Sequence, residues 1–206
     1  MEISNRKIHW ETVFKTKDTT KVSWYQPVPE TSLKLIEKLK LPKTARIIEV
    51  GSGDSYLGDF LLEKGYSEIT LLDISEKALD TIQKRLSAKA EKITFIVADV
   101  TGFSSSETYD LWHDRAVFHF LAEIRDIQKY VKNVSEKLVS GGYLILGTFS
   151  KNGPDMCSGL HVHKYSEAEL TGVFEKNFKK IECFSEEHQT PSGTQQNFLF
   201  CVFQRI

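Results

Sequence analysis

Two apolar periods alternate along this chain, and that alternation restricts its fold more than any other feature. Short β-branched runs at Arg46–Val50, Ile69–Ile74, Ile93–Asp99, Tyr109–Trp112 and Tyr143–Phe149 are apolar almost throughout. Runs of this kind suit strands buried on both faces, the condition of a parallel sheet. Between them, apolar residues recur every three or four positions. After Asp73, Ser75 can cap a helix whose Ala78, Leu79, Ile82 and Leu86 share one face. From Ala122 to Val139, residues Ile124, Ile127, Val131, Val134 and Leu138 repeat the pattern, and Gly141-Gly142 is expected to end it. Strand and helix in turn predict right-handed βαβ units and an α/β, doubly wound, Rossmann-like sheet.

The ends of the chain depart from this rule. Ser166 and Glu169 form a capping-box pair, and two strand-like stretches follow, Phe178–His188 and Gln195–Gln204, around the turn-forming TPSG. They read as an antiparallel hairpin on the sheet edge. Before the sheet come helix candidates around Ile8–Phe14 and Glu30–Lys40, joined by a loop that carries Trp24 and Tyr25. The 27 Lys and Arg against 28 Asp and Glu, net charge -1, leave no basic excess for nucleic acid or a membrane surface. No stretch reaches the ~18 apolar residues of a membrane span. Three cysteines, Cys157, Cys183 and Cys201, form no CxxC pair, and their odd number argues against a disulfide framework. A reducing, cytoplasmic setting is the expectation.

The first strand runs directly into EVGSGDSYLG, Glu49 to Gly58. Gly51 and Gly53 permit a tight turn and a close approach to the backbone. Asp73 ends the second strand about 20 residues on, where a carboxylate can accept from ribose hydroxyls. Asp99 ends the third, where a carboxylate can take an adenine amine. A dinucleotide fold wants a third glycine beside the pyrophosphate, but Tyr56 stands there and would crowd it. The turn begins instead with Glu49, which suits a ligand carrying positive charge. S-adenosyl-L-methionine, with a sulfonium, an ammonium and no phosphate, fits better than a nicotinamide dinucleotide.

These segments resemble, in order, those of class I S-adenosylmethionine-dependent methyltransferases: EVGSGDSYLG for motif I, LLDIS after the second strand, FIVADV at the third and YDLWHDRAVFHFL at the fourth. Ser55 stands where motif I commonly has a third glycine. HWETVF…SWYQ and the motif I region are similar to the branch of elongation-factor lysine methyltransferases, whose fourth strand typically ends in an Asp-Lys-Gly-Thr-type segment. Asp114 and Arg115 match its first two positions conservatively, whereas Ala116, Val117 and His119 depart. The whole chain resembles more closely a group of small bacterial methyltransferases. The resemblance implies a seven-stranded, mostly parallel sheet with a C-terminal antiparallel hairpin and an N-terminal helical lid. It implies one domain over 1–206: a lid at 1–44, a cofactor core at 45–150, and an acceptor loop, helix and hairpin at 151–206.

Methyl transfer from a sulfonium is an in-line displacement needing no metal, and positioning in a dry pocket can supply most of the rate. Gly51, Ser52 and Gly53 are expected to cradle the methionine part, with Glu49 on its ammonium. Asp73 and Ile74 are expected at the ribose, Asp99 and Val100 at the adenine. Asp114 and Arg115 fall where this fold places the methyl group, and Arg115 could hold an anionic acceptor or the cofactor carboxylate. Trp24 and Tyr25 are candidates for an aromatic lid, or for an anchor of the N-terminal segment. His119, His113 and Arg115 are the catalytic candidates, His119 as a base. His161 and His163, without a third ligand, make no metal site. The acceptor is expected to be a small molecule, with a protein lysine as the alternative and a non-catalytic cofactor-binding scaffold as a further one.

Overall fold

The computed structural model describes residues 3–206. The expected alternation is present: α1 (Ile3–Thr16), α2 (Glu30–Lys38), β1 (Arg46–Val50), α3 (Leu57–Glu63), β2 (Glu68–Asp73), α4 (Glu76–Leu86), β3 (Ile93–Val97), β4 (Tyr109–Arg115), α5 (Ile124–Lys137) and β5 (Leu138–Phe149). A two-residue-strand hairpin, β6 (Met156–Cys157) and β7 (Leu160–His161), precedes α6 (Glu167–Phe174), β8 (Phe178–Gln189) and β9 (Gln195–Arg205). The sheet runs β3-β2-β1-β4-β5-β9-β8. Its first five strands are parallel, and β9 pairs antiparallel with both β5 and β8. The chain is thus a doubly wound α/β sheet closed by the expected hairpin. Among the described residues no helix is long and apolar enough to cross a membrane.

Strand alternation divides the core into two layers. Ile47, Ile69, Leu71, Leu111, Ile145, Phe200 and Val202 pack with α2, α3 and α4. Ile48, Leu72, Trp112, Leu144, Leu146, Leu199 and Phe203 pack with α5 and α6. The Ser75 cap and the Ser166–Glu169 capping box both form.

Three local expectations are corrected. The fifth helix stops at Lys137, and Gly141-Gly142 lies inside β5 rather than capping a helix. The fourth strand continues through the polar residues His113, Asp114 and Arg115. Cys183 and Cys201 are directly opposite on β8 and β9 and are joined by a disulfide, which leaves Cys157 as the free thiol. An odd count excludes only complete pairing. Cross-strand register, invisible in spacing alone, brought these two together.

Candidate active site

A cavity opens at the carboxyl ends of β1, β2 and β4, where the strand order reverses and α/β sheets place their ligands. Of the residues expected at a cofactor, Glu49, Gly51, Ser52, Gly53, Asp73, Ile74, Asp99, Val100, Arg115, Trp24 and Tyr25 all line it. His113 lines it too. Asp114 and His119 do not.

Alternation along β4 explains the split. Once the strand runs to residue 115, His113 and Arg115 face one side and Asp114 the other. Asp114 is fully buried, accepting hydrogen bonds from Tyr130 Oη (2.6 Å) and Val117 N (3.0 Å). Burial pushes its carboxyl up to about 7. It joins the end of β4 to α5 and does not reach the cavity. His119 sits in the 3-10 turn of residues 118–120, its ring stacked on Phe149 at 4.2 Å, and burial pushes its pKa down to about 3. It is an aromatic packing residue rather than a base. His161 and His163 lie on the exposed side of the β6–β7 segment, away from the cavity. Among the described residues no three metal-ligating side chains cluster.

The glycine turn is built differently from a phosphate cradle. Gly51 has φ +61°, and a Cβ there would lie 1.8 Å from Val117 Cγ2. At Gly53, φ +54°, a Cβ would meet the Phe14 ring at 3.1 Å. The protein itself, not a ligand, closes on both glycines. The amides are also spent internally: Ser52 N donates to Leu72 O, Gly53 N to Asp73 Oδ2 and Ser55 N to Ser52 O. What remains unpaired and buried at the turn is oxygen, namely Glu49 Oε2 and Ser52 Oγ. Such a set suits a cation, whose charge would favour the ionised form of Glu49. S-adenosylmethionine fits it, since its ammonium could neutralise Glu49.

Ser55, the departure from motif I, donates its hydroxyl to Glu49 Oε1 at 2.8 Å and so aims the other oxygen. Behind the turn, Arg85 of α4 donates to the carbonyls of Asp54 and Ser55, pairs with Asp59, and stacks 4.0 Å from the Tyr56 ring. Burial pushes Glu49 up to about 8 and Asp73 up to about 6. Folded carboxyls that hold their protons more tightly than unfolded ones make stability fall as pH rises. The window runs from the ordinary carboxylate range to about pH 8. Unfolding midpoints of the ligand-free protein should therefore drop between pH 5 and 8. Glu49→Gln should flatten that slope; an unchanged slope would remove Glu49 as its source.

The N-terminal helix, expected as part of a lid, closes the cavity beside Asp99, and its lining residues are ones the sequence did not single out. Arg6, Trp10 and Phe14, one turn apart on α1, line the cavity. Arg6 Nε pairs with Asp99 Oδ2 at 2.9 Å, its Nη1 with Asp126 Oδ2 at 2.7 Å, and its Nη2 donates to Thr101 Oγ1. Asp99 also accepts from Thr101 N and Oγ1. Its capacity for an adenine amine is thus reduced to what Arg6 leaves free on Oδ2. Trp10 meets Trp24 and Phe120 edge-on at 6.0 and 5.0 Å, and Tyr25 meets Tyr56 at 6.4 Å.

On the opposite wall stand Phe149, Phe198 and Cys157. Ser158 and Gly159, both with positive φ, make the tight turn that brings Cys157 inward. Burial raises its thiol to about 11, so it is a neutral wall residue at pH 7. His113 Nε2 bonds Ser32 Oγ at 2.8 Å and Nδ1 is buried without a partner. Burial and Arg115 lower its pKa to about 3, too weak a base to deprotonate a hydroxyl or ammonium at neutral pH.

Fold and site together resemble those of class I S-adenosylmethionine-dependent methyltransferases. Residues 48–144 match the family described as Methyltransferase domain. Over 80 residues the chain is 32% identical to Nodulation protein S of Rhizobium tropici, covering 39% of this chain and 33% of that one. Over 141 residues it is 23% identical to the eEF1A lysine and N-terminal methyltransferase of Mus musculus, covering 65% and 20%. The chain therefore spans a third or less of the length of these relatives. A solved 1,6-didemethyltoxoflavin-N1-methyltransferase of Burkholderia thailandensis, with its acceptor and S-adenosylhomocysteine bound, superposes with a TM-score of 0.71 at 16% identity. That superposition covers 98% of this chain and 86% of the other, and it is a likeness of fold.

Proposed function

We propose that this protein methylates a small organic molecule bound between the glycine turn and the Phe149–Phe198 wall. The observation that carries the reading is the cavity's two-sided lining, buried oxygen atoms on one side and aromatic rings on the other. Bound S-adenosylmethionine supplies an electrophilic methyl group on its sulfonium. Glu49 and Ser52 hold the positive end, while Asp73, already fixed by the Gly53 and Ser75 amides, offers its remaining lone pairs to the ribose. Trp10, Trp24 and Phe120 exclude water, which strengthens every charge interaction inside. With His113 held neutral and Glu49 taken up by the positive end, the acceptor is one that presents its lone pair or anion unaided.

The small-molecule reading is supported by the closed aromatic lining and by the named acceptor of the Burkholderia structure. The similarity to eEF1A lysine methyltransferases favours a protein lysine as the second reading. Turnover with methyl-labelled cofactor decides between them: label appearing in small metabolites supports the first, and label on protein bands of a lysate the second. Absence of S-adenosylhomocysteine binding by calorimetry would reject both, and binding without turnover on either acceptor class would leave a cofactor-binding scaffold. Trp24→Ala should weaken S-adenosylhomocysteine about tenfold by removing one ring of the lid. Unchanged affinity would make Trp24 an anchor only.

A further inference from the structure

Of the two arginines that line the cavity, Arg6 is paired with carboxylates and Arg115 is not. The Arg115 guanidinium is held at one corner, where Nη1 donates to the carbonyl of Trp24 at 3.0 Å. Its plane lies against Phe198, 4.8 Å from the ring centroid. The other edge, Nε with Nη2, is closed off from solvent and has no hydrogen-bond partner. Among the described residues no carboxylate comes within ion-pair distance of it, although thirteen other basic side chains have such a partner. A buried charge without a counter-charge is costly, and its free edge presents two parallel N–H groups. That fork matches the two oxygens of a carboxylate.

The position of this fork sets it beside the aromatic wall. The Gly51 backbone lies against Val117 and that of Gly53 against Phe14, while Gly53 N donates to Asp73 Oδ2. Arg115 packs on Phe198 of β9, with Glu186, Glu49 and Cys157 near enough to act on its charge without pairing with it, and opposite it on β5 stands Gly147, with no side chain to intervene. Resting on the methyltransferase reading above, we infer that the acceptor carries a carboxylate, gripped by Nε and Nη2 of Arg115, on an apolar body that lies against Phe149 and Phe198. The ion pair fixes one end of the acceptor and the rings fix its plane, which leaves the reacting atom turned toward the glycine turn.

The test uses the full chain saturated with S-adenosylhomocysteine. Benzoate, phenylacetate, indole-3-acetate and octanoate are titrated calorimetrically, each beside its neutral amide. At least one carboxylate should bind about tenfold or more tighter than its amide, a preference worth a charged hydrogen-bonded contact. Arg115→Gln should erase that preference, and Arg115→Lys, which keeps the charge but not the fork, should restore only part of it. S-adenosylhomocysteine affinity should change less than about threefold in Arg115→Gln, because the fork serves the acceptor. No preference for any carboxylate in the wild-type protein overturns the inference, whether or not the variants fold. So does a large loss of S-adenosylhomocysteine affinity in Arg115→Gln with 5′-methylthioadenosine affinity unchanged, since that assigns the fork to the cofactor's own carboxylate. Failure of wild-type protein to bind S-adenosylhomocysteine at all would instead defeat the methyltransferase reading.

Discussion

Gly51→Ala should lose about a hundredfold or more in S-adenosylhomocysteine affinity and several kcal/mol of stability together. The left-handed backbone at φ +61° costs a side chain on the order of 1–2 kcal/mol. The larger penalty is steric, since a Cβ would lie 1.8 Å from Val117 Cγ2. Either Val117 moves and disturbs the turn after β4, or the strand-to-helix turn moves and carries Glu49 and Ser52 with it. The double variant Gly51→Ala/Val117→Ala separates these effects. Removing the valine methyls should recover much of the stability, while the backbone penalty stays. If the single variant binds S-adenosylhomocysteine normally, the turn is not the cofactor's seat.

Arg6→Ala should be nearly as severe, by a different route. The side chain is about nine-tenths buried and bridges two carboxylates, Asp99 and Asp126, that are equally covered. Removing the cation leaves both acids buried without it, which for one lost partner costs about 3–5 kcal/mol. For a chain of this length that corresponds to roughly 10 °C in unfolding midpoint. Helix α1 carries Trp10 and Phe14 into the cavity, so cofactor affinity should fall in parallel. Arg6→Lys should recover little, because one ammonium cannot reach Asp99, Asp126 and Thr101 in the same geometry. A midpoint within a degree or two of wild type would show that α1 is held by its aromatic contacts alone.

The sheet was legible because its signal is periodic. Apolar runs, the Ser75 cap, the Ser166–Glu169 box and the terminal hairpin all express short-range rules, and each appears where spacing places it. The acidic strand ends were legible for the same reason. The site's failures of prediction have a common cause in polar residues serving long-range partners. His113, Asp114 and Arg115 are polar, so the apolar run ends at Trp112 and the alternation that turns Asp114 away is not visible in the sequence. Arg6 acts across 95 to 120 residues of sequence, and nothing near it in the chain marks it as a clamp. The Cys183–Cys201 bridge depends on a register set by two long strands. Ala116 was legible in hindsight. It occupies the third position of the Asp-Lys-Gly-Thr-type segment, and its φ of +73° shows why a glycine suits that place.

The two walls of the cavity also come from separate stretches of chain. Glu49, Ser52, Asp73 and Asp99 bring oxygen atoms to the cavity, whereas Phe149, Cys157 and Phe198 lie beyond them in the chain, the last on a hairpin whose pairing is locked by a covalent bridge. Along β9, Phe198 and Phe200 face one layer while Leu199 and Cys201 face the other. Mutation at 198 could therefore reshape what the pocket accepts while the scaffold and the methyl-donor half stay as they are. The aromatic wall and the oxygen-lined turn are thus open to separate mutation.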